Sequence, residues 1–428
     1  MELDGKFYDS YIQSLTNTLN KPWFSRAWIV QEATFSVTSI VLLGTEEIDF
    51  SLLHRLVVVV ARIEAEVMSS HSVKNSQVLR SRGAQTVRQV EKLRGQTTSS
   101  KGNFSSFPDI LQQLAFSLDA TDARDQVYAF LAFQDPREEK ILPDYSLNTS
   151  AAYTMISANI ARSSKSLSIF GLVRGSKYSG LLPSWVVDWR LNKSTQGTPF
   201  DKDSKDLFDA CKGYQYRPAK EPPQLSRVLT VKGRMIGQVA IVSTVAHESQ
   251  QDVSQAWKLE QVVDSLELNS RSRSEGKILS LLDDPNLRRR VVSALIAQDT
   301  RGLMPAVHQE NALDQILRAY ETYDRAIGED TIIEDALESG RLIQKLNKRT
   351  FLCVKKRVFC TNEGLIGLGP QLISDNDFVC ILHGSKVPCI LRKQGNGWEV
   401  IGQCFYEKGM HGELVDWKEA NGDTFDLL

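Results

Sequence analysis

The C-terminal part of the chain consists of short apolar runs separated by glycines, and this pattern constrains the fold more than any other feature. The runs extend over residues 351–413. Short strands that end at glycine turns with this spacing are typical of a small antiparallel β-barrel. The sequence therefore predicts an all-β domain at this end of the chain. The glycines that separate the runs are Gly367, Gly384, Gly397 and Gly409.

A further strand-like stretch lies well upstream of these runs. Residues 229–243 alternate apolar and polar side chains and contain Gly233 and Gly237, so we expect a β-hairpin that joins the barrel. The residues between the two strand regions have a helical pattern with many charged side chains. The predicted segments are a small β-barrel domain, 225–247 plus 349–428, and a helical insertion, 248–348.

Length, charge and cysteine usage bound the class of protein. A chain of 428 residues exceeds one compact core, so two or three domains are expected, with the polar residues 191–224 as a linker. The net charge of −1, from 51 basic and 52 acidic residues, gives no electrostatic reason to expect nucleic acid or an anionic membrane as partner. The longest apolar run, residues 56–61, is far below the roughly 20 residues of a membrane span. Six cysteines without short paired spacings indicate reduced thiols in a cytoplasmic protein, and no metal site is expected.

The clearest helical pattern of the first half lies at residues 22–32, PWFSRAWIVQE. Its opening proline suits a first helical turn and no later residue interrupts the pattern, so one continuous helix is predicted. Trp23, Ala27 and Val30 would share its buried stripe. On physical grounds alone, Glu32 is a solvated carboxylate at the end of a core helix.

A strand and another helix are predicted next. Residues 39–44 indicate a short buried strand that ends at a glycine, and a helix follows over 52–67, capped by Asp49 or Ser51. The order helix, strand, helix suggests an α/β layer. Residues 69–103 are rich in Ser, Gln, Arg and Lys, which predicts a mobile polar insertion; without interleaved aromatics, a solvated segment is favoured over a nucleic-acid contact. The helix side chains expected to be buried are Leu53, Leu56, Val57, Val60 and Ile63.

Residues 121–131, TDARDQVYAFL, form a second block of interest. They predict a helix whose N-cap is Thr121 or Asp119. Arg124 and Asp125 are adjacent within it. A surface pair of this kind is worth about 0 to 1 kcal/mol, so it is a weak indication of chemistry by itself.

The third block begins at residues 143–146, PDYS, continues through a predicted amphipathic helix over 149–162, and ends at residues 182–190, LPSWVVDWR. Trp185 and Trp189 lie four residues apart in that last segment. We interpret them as a rigid aromatic plug that packs a domain edge, in preference to a ligand site.

The three blocks resemble those of the fungal heterokaryon incompatibility (HET) domain family. They match P-W-F-x-R-x-W-x-x-Q-E, then T-D-x-R-D-x-V-Y-A-x-L, then PDYS with the tryptophan run, in the family's order over roughly the first 190 residues. The C-terminal strands also resemble long HET proteins, through F-x-T-x-x-G-x-x-G-L-G-P, V-P-x-I-L-R and G-x-C-F/Y. The motif residues that the resemblance marks are Trp23, Arg26, Trp28, Gln31, Glu32, Arg124, Asp125, Tyr128, Trp185, Asp188 and Trp189.

The resemblance implies a role in non-self recognition, in which fusion of unlike hyphae triggers programmed cell death. The HET domain is regarded as similar to the TIR fold, an α/β domain that self-associates and in some lineages cleaves NAD. On that likeness, Glu32 is the candidate catalytic carboxylate and Trp28 a stacking surface for a base or nicotinamide ring. No cofactor is expected, and NAD enters only as a substrate. The expected fold is a mixed α/β chain with a TIR-like HET domain over residues 1–190.

The chain departs from the family pattern at its start. The family's opening blocks, Y-x-A-L-S-Y-x-W-G and W-I-D-x-x-C-I-N-Q, precede the P-W-F block and have no counterpart here. The HET domain is therefore expected to be partial, either as a truncated gene model or as a natural short form. Ligands of α/β domains bind at the carboxyl ends of central strands, so loss of those strands makes a competent NAD pocket unexpected.

Three functions remain open on this basis. The first is an incompatibility protein that acts by protein association, with itself or with an incompatibility partner. The second is an NAD-cleaving hydrolase that uses Glu32. The third is a non-catalytic interaction module or decoy regulator whose C-terminal barrel binds another protein.

Overall fold

A computed structural model gives the protein a mixed α/β fold with a large mixed sheet. It divides into two compact units, which we call unit 1 (Met1–Ala152 and Trp189–Lys193) and unit 2 (Tyr153–Asp188 and Ser194–Leu428). Much of the predicted helical insertion lies outside the described residues. The structure describes residues 5–69, 78, 81–98, 106–135, 140–173, 181–191, 208–218, 226–244, 262–266, 284–295, 314–319, 354–415 and 422–428.

The first 152 residues are mainly helical, and their described part contains one two-stranded sheet. That sheet is an antiparallel hairpin of two four-residue strands that turns at Gly44, whose φ is +68°. The elements are α1 (Gly5–Leu19), a 3₁₀ turn (Pro22–Ser25), α2 (Trp28–Phe35), β1 (Ile40–Leu43), β2 (Glu46–Asp49), α3 (Phe50–Ser69), α4 (Arg82–Thr98), α5 (Phe107–Leu114), α6 (Asp125–Tyr128) and α7 (Thr149–Ser164), the last of which continues into unit 2.

The single helix expected over residues 22–32 is in fact two helices. A 3₁₀ turn ends at Ser25, Arg26 is extended (φ −71°, ψ 136°), and α2 begins at Trp28. The break occurs because the backbone on either side of Arg26 hydrogen-bonds to Asp119 instead of continuing a helix. The predicted buried stripe is therefore wrong at Trp23, which is exposed.

The hairpin and α3 correct two more expectations. Strand β1 was expected to be buried in an α/β layer, but only Val41 of its four residues is buried, because β2 is its only strand partner among the described residues. Helix α3 is capped as predicted by Asp49, whose Oδ1 accepts from the backbone N–H of Ser51 (2.9 Å) and Leu52 (3.1 Å). However, Leu56 and Ile63 are exposed, because α3 packs on α4 through the neighbouring side chains of its surface.

The expectation of a mobile polar insertion is wrong over residues 82–98, which form helix α4. The sparse apolar residues of this segment recur every three positions and so fall on one helical face. The polar composition of residues 69–103 as a whole does not reveal this spacing. The buried side chains are Ala84, Val87, Val90 and Leu93.

Unit 2 is built on strands that lie far apart in the sequence. Their faces are densely apolar, with Val379, Ile390 and Ile401 in one cluster and Ile366, Leu368 and Phe405 in another. Helix α8 (Leu287–Leu295) and helical residues 262–266 and 314–319 contribute to the second cluster. The strands are β3 (Leu229–Val242), β4 (Lys356–Thr361), β5 (Ile366–Pro370), β6 (Phe378–Leu382), β7 (Cys389–Gln394), β8 (Gly397–Gln403), β9 (Phe405–Tyr406) and β10 (Asp423–Leu427).

These eight strands form one sheet in the order β10-β8-β7-β6-β3-β4-β5-β9. Because β10 also pairs with β3, the strands β3, β6, β7, β8 and β10 form a closed circuit of hydrogen-bonded neighbours. The named strands pair in antiparallel fashion except β10 with β8, which meet in parallel at Leu427 and Trp398. The predicted strand region thus forms a mixed sheet that includes the distant residues of β3.

The expected hairpin at residues 229–243 is instead the single 14-residue strand β3. Neither Gly233 nor Gly237 has a positive φ, so neither forms a turn. Both permit close approach: a Cβ on Gly233 would lie 2.4 Å from the carbonyl oxygen of Ile381, and one on Gly237 would lie 2.6 Å from the hydroxyl of Tyr406. The two glycines therefore allow β3 to lie close to atoms of neighbouring strands that would clash with a larger side chain.

Part of the predicted linker is also described. Residues 208–218 run along unit 2, where the backbone N–H of Ala210 donates to Lys386 and that of Tyr216 donates to Lys165. Their apolar side chains pack into the unit, which the polar composition of the whole stretch did not indicate. The buried ones are Phe208, Ala210, Cys211 and Tyr216.

Candidate functional site: the junction of the N-terminal motifs

The backbone of the first motif meets the start of the second. The Asp119 N–H donates to the carbonyl of Ser25 (2.6 Å), and the Ala27 N–H donates to the carbonyl of Asp119 (2.9 Å), which gives a parallel bridge across Arg26. The Asp119 carboxylate lies 3.3 Å from the guanidinium of Arg82, an ion pair in which both side chains are largely exposed. The first two motifs therefore share one backbone junction in unit 1.

Arg124 binds three groups with its planar guanidinium. Its Nε donates to Oδ1 of Asp122 (2.9 Å) and its Nη2 donates to Oδ2 of the same carboxylate (2.5 Å). Its Nη1 donates to the carbonyls of Tyr145 and Leu147, each at 2.7 Å. The hydrogen bonds from Arg124 lower the pKa of Asp122 from 3.8 to about 2. A forked donor of this kind holds a loop by charge and direction together.

Tyr145 completes this group of side chains, which we call the Arg124 cluster (Asp122, Arg124, Asp125, Tyr128 and Tyr145). Its hydroxyl donates to Oδ1 of Asp125 at 2.6 Å, and the guanidinium carbon of Arg124 lies 5.0 Å from its ring centre. The Tyr128 ring meets the Tyr145 ring edge to face at 5.3 Å, and its hydroxyl donates to the carbonyl of Asp144 (3.0 Å). Burial, and then the Asp125 carboxylate, raise the pKa of Tyr145 to about 12.

The contacts of this cluster indicate a structural role, in which it holds a neighbouring segment in place. A phenol whose pKa is raised is a poor proton donor and nucleophile near neutral pH. Every donor group of Arg124 described above points at the protein's own oxygens. The second motif thus holds the segment Asp144–Leu147, and the residues that the resemblance marks at 124, 125 and 128 have a structural role visible in their contacts.

Pairing within the cluster differs from what the sequence suggested. Arg124 bridges to Asp122, two residues before it, and not to its neighbour Asp125. Asp122 Oδ1 also accepts from the backbone N–H of Arg124 (2.9 Å), a local turn that Asp favours. This turn replaces the predicted start of a longer helix, and α6 spans only four residues. The spacing Asp-x-Arg was the signal available for this pairing.

The tryptophans of the third motif are both buried, each within its own unit. In unit 1, Trp189 stacks on Phe116 with ring centres 5.0 Å apart and an interplanar angle of 19°. In unit 2, the Trp185 indole N–H donates to the carbonyl of Arg227 (3.0 Å). Asp188, between them in sequence, is also buried. Such burial and pairing support the interpretation as packing residues.

Glu32, the candidate catalytic carboxylate, lies on the surface of α2. It is exposed, it lies one helical turn from the half-buried Trp28, and none of the contacts of the Arg124 cluster involves it. Gln31 is half-buried, whereas Trp23 lies edge to face against Phe24 with ring centres 4.9 Å apart. Catalysis by Glu32 stays a prediction.

Two further features are absent from the described part of the chain. No group of three or more His, Cys, Asp or Glu side chains there is placed to hold a metal ion. No helix in the same residues is long and apolar enough to cross a membrane.

Comparison with known proteins agrees with the motif resemblance. The family model of the Het-6 beta-barrel domain matches residues 300–426, an interval that contains strands β4 to β9 and all but the last residue of β10. Together with the curated relative described next, this match supports a protein of the heterokaryon incompatibility family, as the sequence motifs indicated.

The curated relative is heterokaryon incompatibility protein 6, OR allele, from Neurospora crassa. The chain is 23% identical to it over 354 residues, which cover 70% of this chain and 50% of that protein. The chain thus spans about half the length of the curated relative it matches. No solved structure matches the chain.

Proposed function

We propose that this protein acts in fungal non-self recognition and cell death, and that it does so by associating with another protein. The family matches support the biological role. The observation that carries the association is an exposed apolar stripe on α3, which we call the α3 stripe: Leu52, Leu56, Val59 and Ile63, exposed by 48%, 42%, 52% and 36%.

The spacing of the α3 stripe suits a helical partner. Its members are separated by four, three and four residues, the alternation that keeps one seam of a helix facing another helix. Isolated exposed apolar residues are ordinary, but a continuous row along about three turns is typical of an interaction surface. The neighbouring hairpin adds the exposed side chains of Ile40 and Leu42 to the apolar surface of unit 1.

The charges beside the stripe define the chemistry of the partner. Arg55 and Arg62 are exposed and lie seven residues apart on one border of the stripe. An α3 helix from a second copy would bring the same two arginines, whereas a helix with acidic residues along its border would neutralise them. The favoured partner is therefore an amphipathic helix with an acidic border.

The test compares charge insertion on the stripe with the same change elsewhere. Expression of the chain in a fungal strain of unlike incompatibility type is expected to cause cell death, and Leu56→Glu with Val59→Glu is expected to abolish it. Leu142→Glu is the matched control, because Leu142 is 72% exposed in unit 1 and lies outside the stripe. Circular dichroism checks that each variant folds.

Two results would contradict this proposal. Death that persists in the folded Leu56→Glu, Val59→Glu variant would show that the α3 stripe is not the contact surface. Sedimentation that reveals a wild-type dimer, lost in the same variant, would identify a second copy as the partner in place of an acidic helix.

NAD cleavage is the second candidate, favoured by one observation: the exposed Glu32 carboxylate lies one turn from the half-buried Trp28 ring on α2. Purified protein would then consume NAD, and Glu32→Gln would abolish turnover without unfolding the chain. Turnover equal to that of a heat-inactivated sample would remove this candidate.

A further inference from the structure

Unit 2 contains an open cavity of about 760 Å³ that is separate from the α3 stripe and from the Arg124 cluster. It lies between the segment 212–218, the first part of β3 and the residue that follows β6. Its lining residues are Lys212, Gly213, Tyr214, Gln215, Arg217, Pro218, Lys232 and His383.

The lining carries three cationic side chains and no acidic residue among those described. Lys212, Arg217 and Lys232 are exposed, and none makes a hydrogen bond or ion pair through its side chain with any described part of the chain. The acid Asp209 accepts at its Oδ1 from the backbone N–H of the lining residue Gly213 (2.9 Å), and it forms no ion pair with any of these three cations. Cations gathered in a concave surface without counter-charges attract an anion strongly.

The backbone that carries these cationic side chains is held by hydrogen bonds. The Gly384 N–H donates to the carbonyl of Tyr214 (2.7 Å), and the His383 N–H donates to the carbonyl of Lys232 (2.8 Å). These bonds tie the segment 212–218 to the end of β6 and tie that end to β3. A site whose backbone is already ordered loses little conformational entropy when a ligand binds.

Two aromatic rings line the cavity beside the cations. Tyr214 and His383 lie with ring centres 5.0 Å apart at an interplanar angle of 36°, and Tyr214 is exposed. Burial, and then the charge of Lys232, lower the pKa of His383, so this ring is mostly neutral near neutral pH. A neutral ring pair can stack with a planar heterocycle.

We propose that this cavity binds a nucleotide, with its phosphates among Lys212, Arg217 and Lys232 and its base against Tyr214 and His383. The volume lies within the roughly 300 to 1,000 Å³ of small-molecule sites. Three cations that have no side-chain partner among the described residues match a ligand with two or more negative charges, and the aromatic pair distinguishes a nucleotide from an inorganic phosphate. The site is independent of the association proposed above.

Isothermal titration calorimetry of the full chain with ADP tests the proposal, with pyrophosphate and adenosine as comparison ligands. ADP is expected to bind most tightly, and its affinity to fall as salt is added. Lys232→Glu and Lys212→Glu are each expected to weaken ADP binding about tenfold or more, since each reverses a charge close to the phosphates. Tyr214→Ala is expected to weaken ADP binding several-fold and to leave pyrophosphate binding unchanged.

Lys408→Glu is the matched control, because Lys408 is exposed in unit 2, has the same left-handed backbone (φ 61°) as Lys212 (φ 47°), and lies outside the lining. It is expected to leave the ADP affinity within about twofold of the wild type, because an exposed distant charge is screened. Hydrogen exchange checks that each variant keeps the fold of unit 2.

Several outcomes would overturn the assignment. Absence of ADP binding, or equal weakening by Lys408→Glu, would remove the site. Equal affinities for pyrophosphate and ADP would show that the rings of Tyr214 and His383 do not contact the base. A single-stranded oligonucleotide that binds far more tightly than ADP, with the same loss in Lys232→Glu, would replace a small ligand with a nucleic acid.

Discussion

The two units of this protein are stabilised in different ways. In unit 2, strands distant in sequence pair through their backbones, and the side chains of its core clusters are apolar and buried. In unit 1, the start of α6 is joined to the segment Asp144–Leu147 by a polar cluster in which Arg124 binds one carboxylate and two carbonyls. Both units use a forked arginine, since Arg290 of unit 2 binds Asp284, Glu407 and the carbonyl of Gly364. What distinguishes unit 2 is the eight-stranded sheet, whereas the described part of unit 1 contains only a two-stranded hairpin.

The difference extends to the surface. Most of the exposed large apolar side chains in the described residues belong to unit 1, where they include the α3 stripe and the hairpin. Those of unit 2 are scattered single residues such as Leu181, Met235 and Leu414. A unit that leaves a continuous apolar row uncovered is suited to association, whereas a unit with an enclosed core and a cationic cavity is suited to a small polar ligand.

The largest expected effect on stability comes from adding a single methyl group at a glycine of unit 2. Gly233→Ala would place a Cβ 2.4 Å from the carbonyl oxygen of Ile381 and 3.0 Å from Cα of Leu382. Both are backbone atoms, so the strands β3 and β6 would have to separate. We expect a loss of about 3 kcal/mol from the stability of unit 2. Denaturant unfolding, with hydrogen exchange to localise the change, measures it.

The control is the same substitution in unit 1. Gly95 lies within helix α4 with open space around its Cα, so Gly95→Ala is expected to stabilise the helix by about 0.5 to 1 kcal/mol. Equal and small changes in stability at both glycines would show that β3 and β6 can move apart. The close backbone packing of unit 2 would then not limit which residues it accepts at position 233.

An intermediate effect is expected from the fork of Arg124. Arg124→Lys keeps the positive charge but cannot bind Asp122 with two parallel bonds while also reaching the carbonyls of Tyr145 and Leu147. We expect the variant to be less stable than the wild type, and by more than the control substitution, because some of these groups lose their partner. Faster hydrogen exchange in the segment Asp144–Leu147 is the measurement.

Arg82→Lys is the control for that substitution. Its ion pair with Asp119 is exposed on both sides, so the change is expected to cost less than about 0.5 kcal/mol. If Arg124→Lys were as mild as this control, the cluster would not fasten the loop, and helix packing alone would hold unit 1 together.

Some elements of this fold are determined by local sequence, and others by a partner that is distant in the sequence. Local patterns were sufficient for the Asp49 cap of α3, the helix at Thr149–Ser164 and the strand character of the C-terminal region. They failed where a distant partner decided the local structure. Arg26 is extended because its neighbours bond to Asp119, 93 positions further on, and no window around residue 26 contains that information.

The candidate site shows the same limit. The motif resemblance marked Arg124, Asp125 and Tyr128, and the structure brings these residues together with Tyr145 of the next motif. It could not indicate that Asp122 is the ion-pair partner. The cationic cavity was not predicted at all, because Lys212, Lys232 and His383 come from three separate segments that only the sheet of unit 2 brings together.

The smallest expected effect concerns acid. The folded-state pKa of Asp122 is about 2, below its ordinary 3.8, so its contribution to stability is complete above about pH 4 and is lost as the pH falls toward about 2. The carboxylate is one-third exposed, which limits the contribution to about 1 kcal/mol or less. Asp122→Asn is expected to lower stability near neutral pH and to remove this part of the acid dependence. Unfolding measured at about pH 5 and about pH 3 separates the two forms. An unchanged acid dependence in Asp122→Asn would mean that other carboxylates control it, and the fork of Arg124 would then owe its strength to the loop carbonyls.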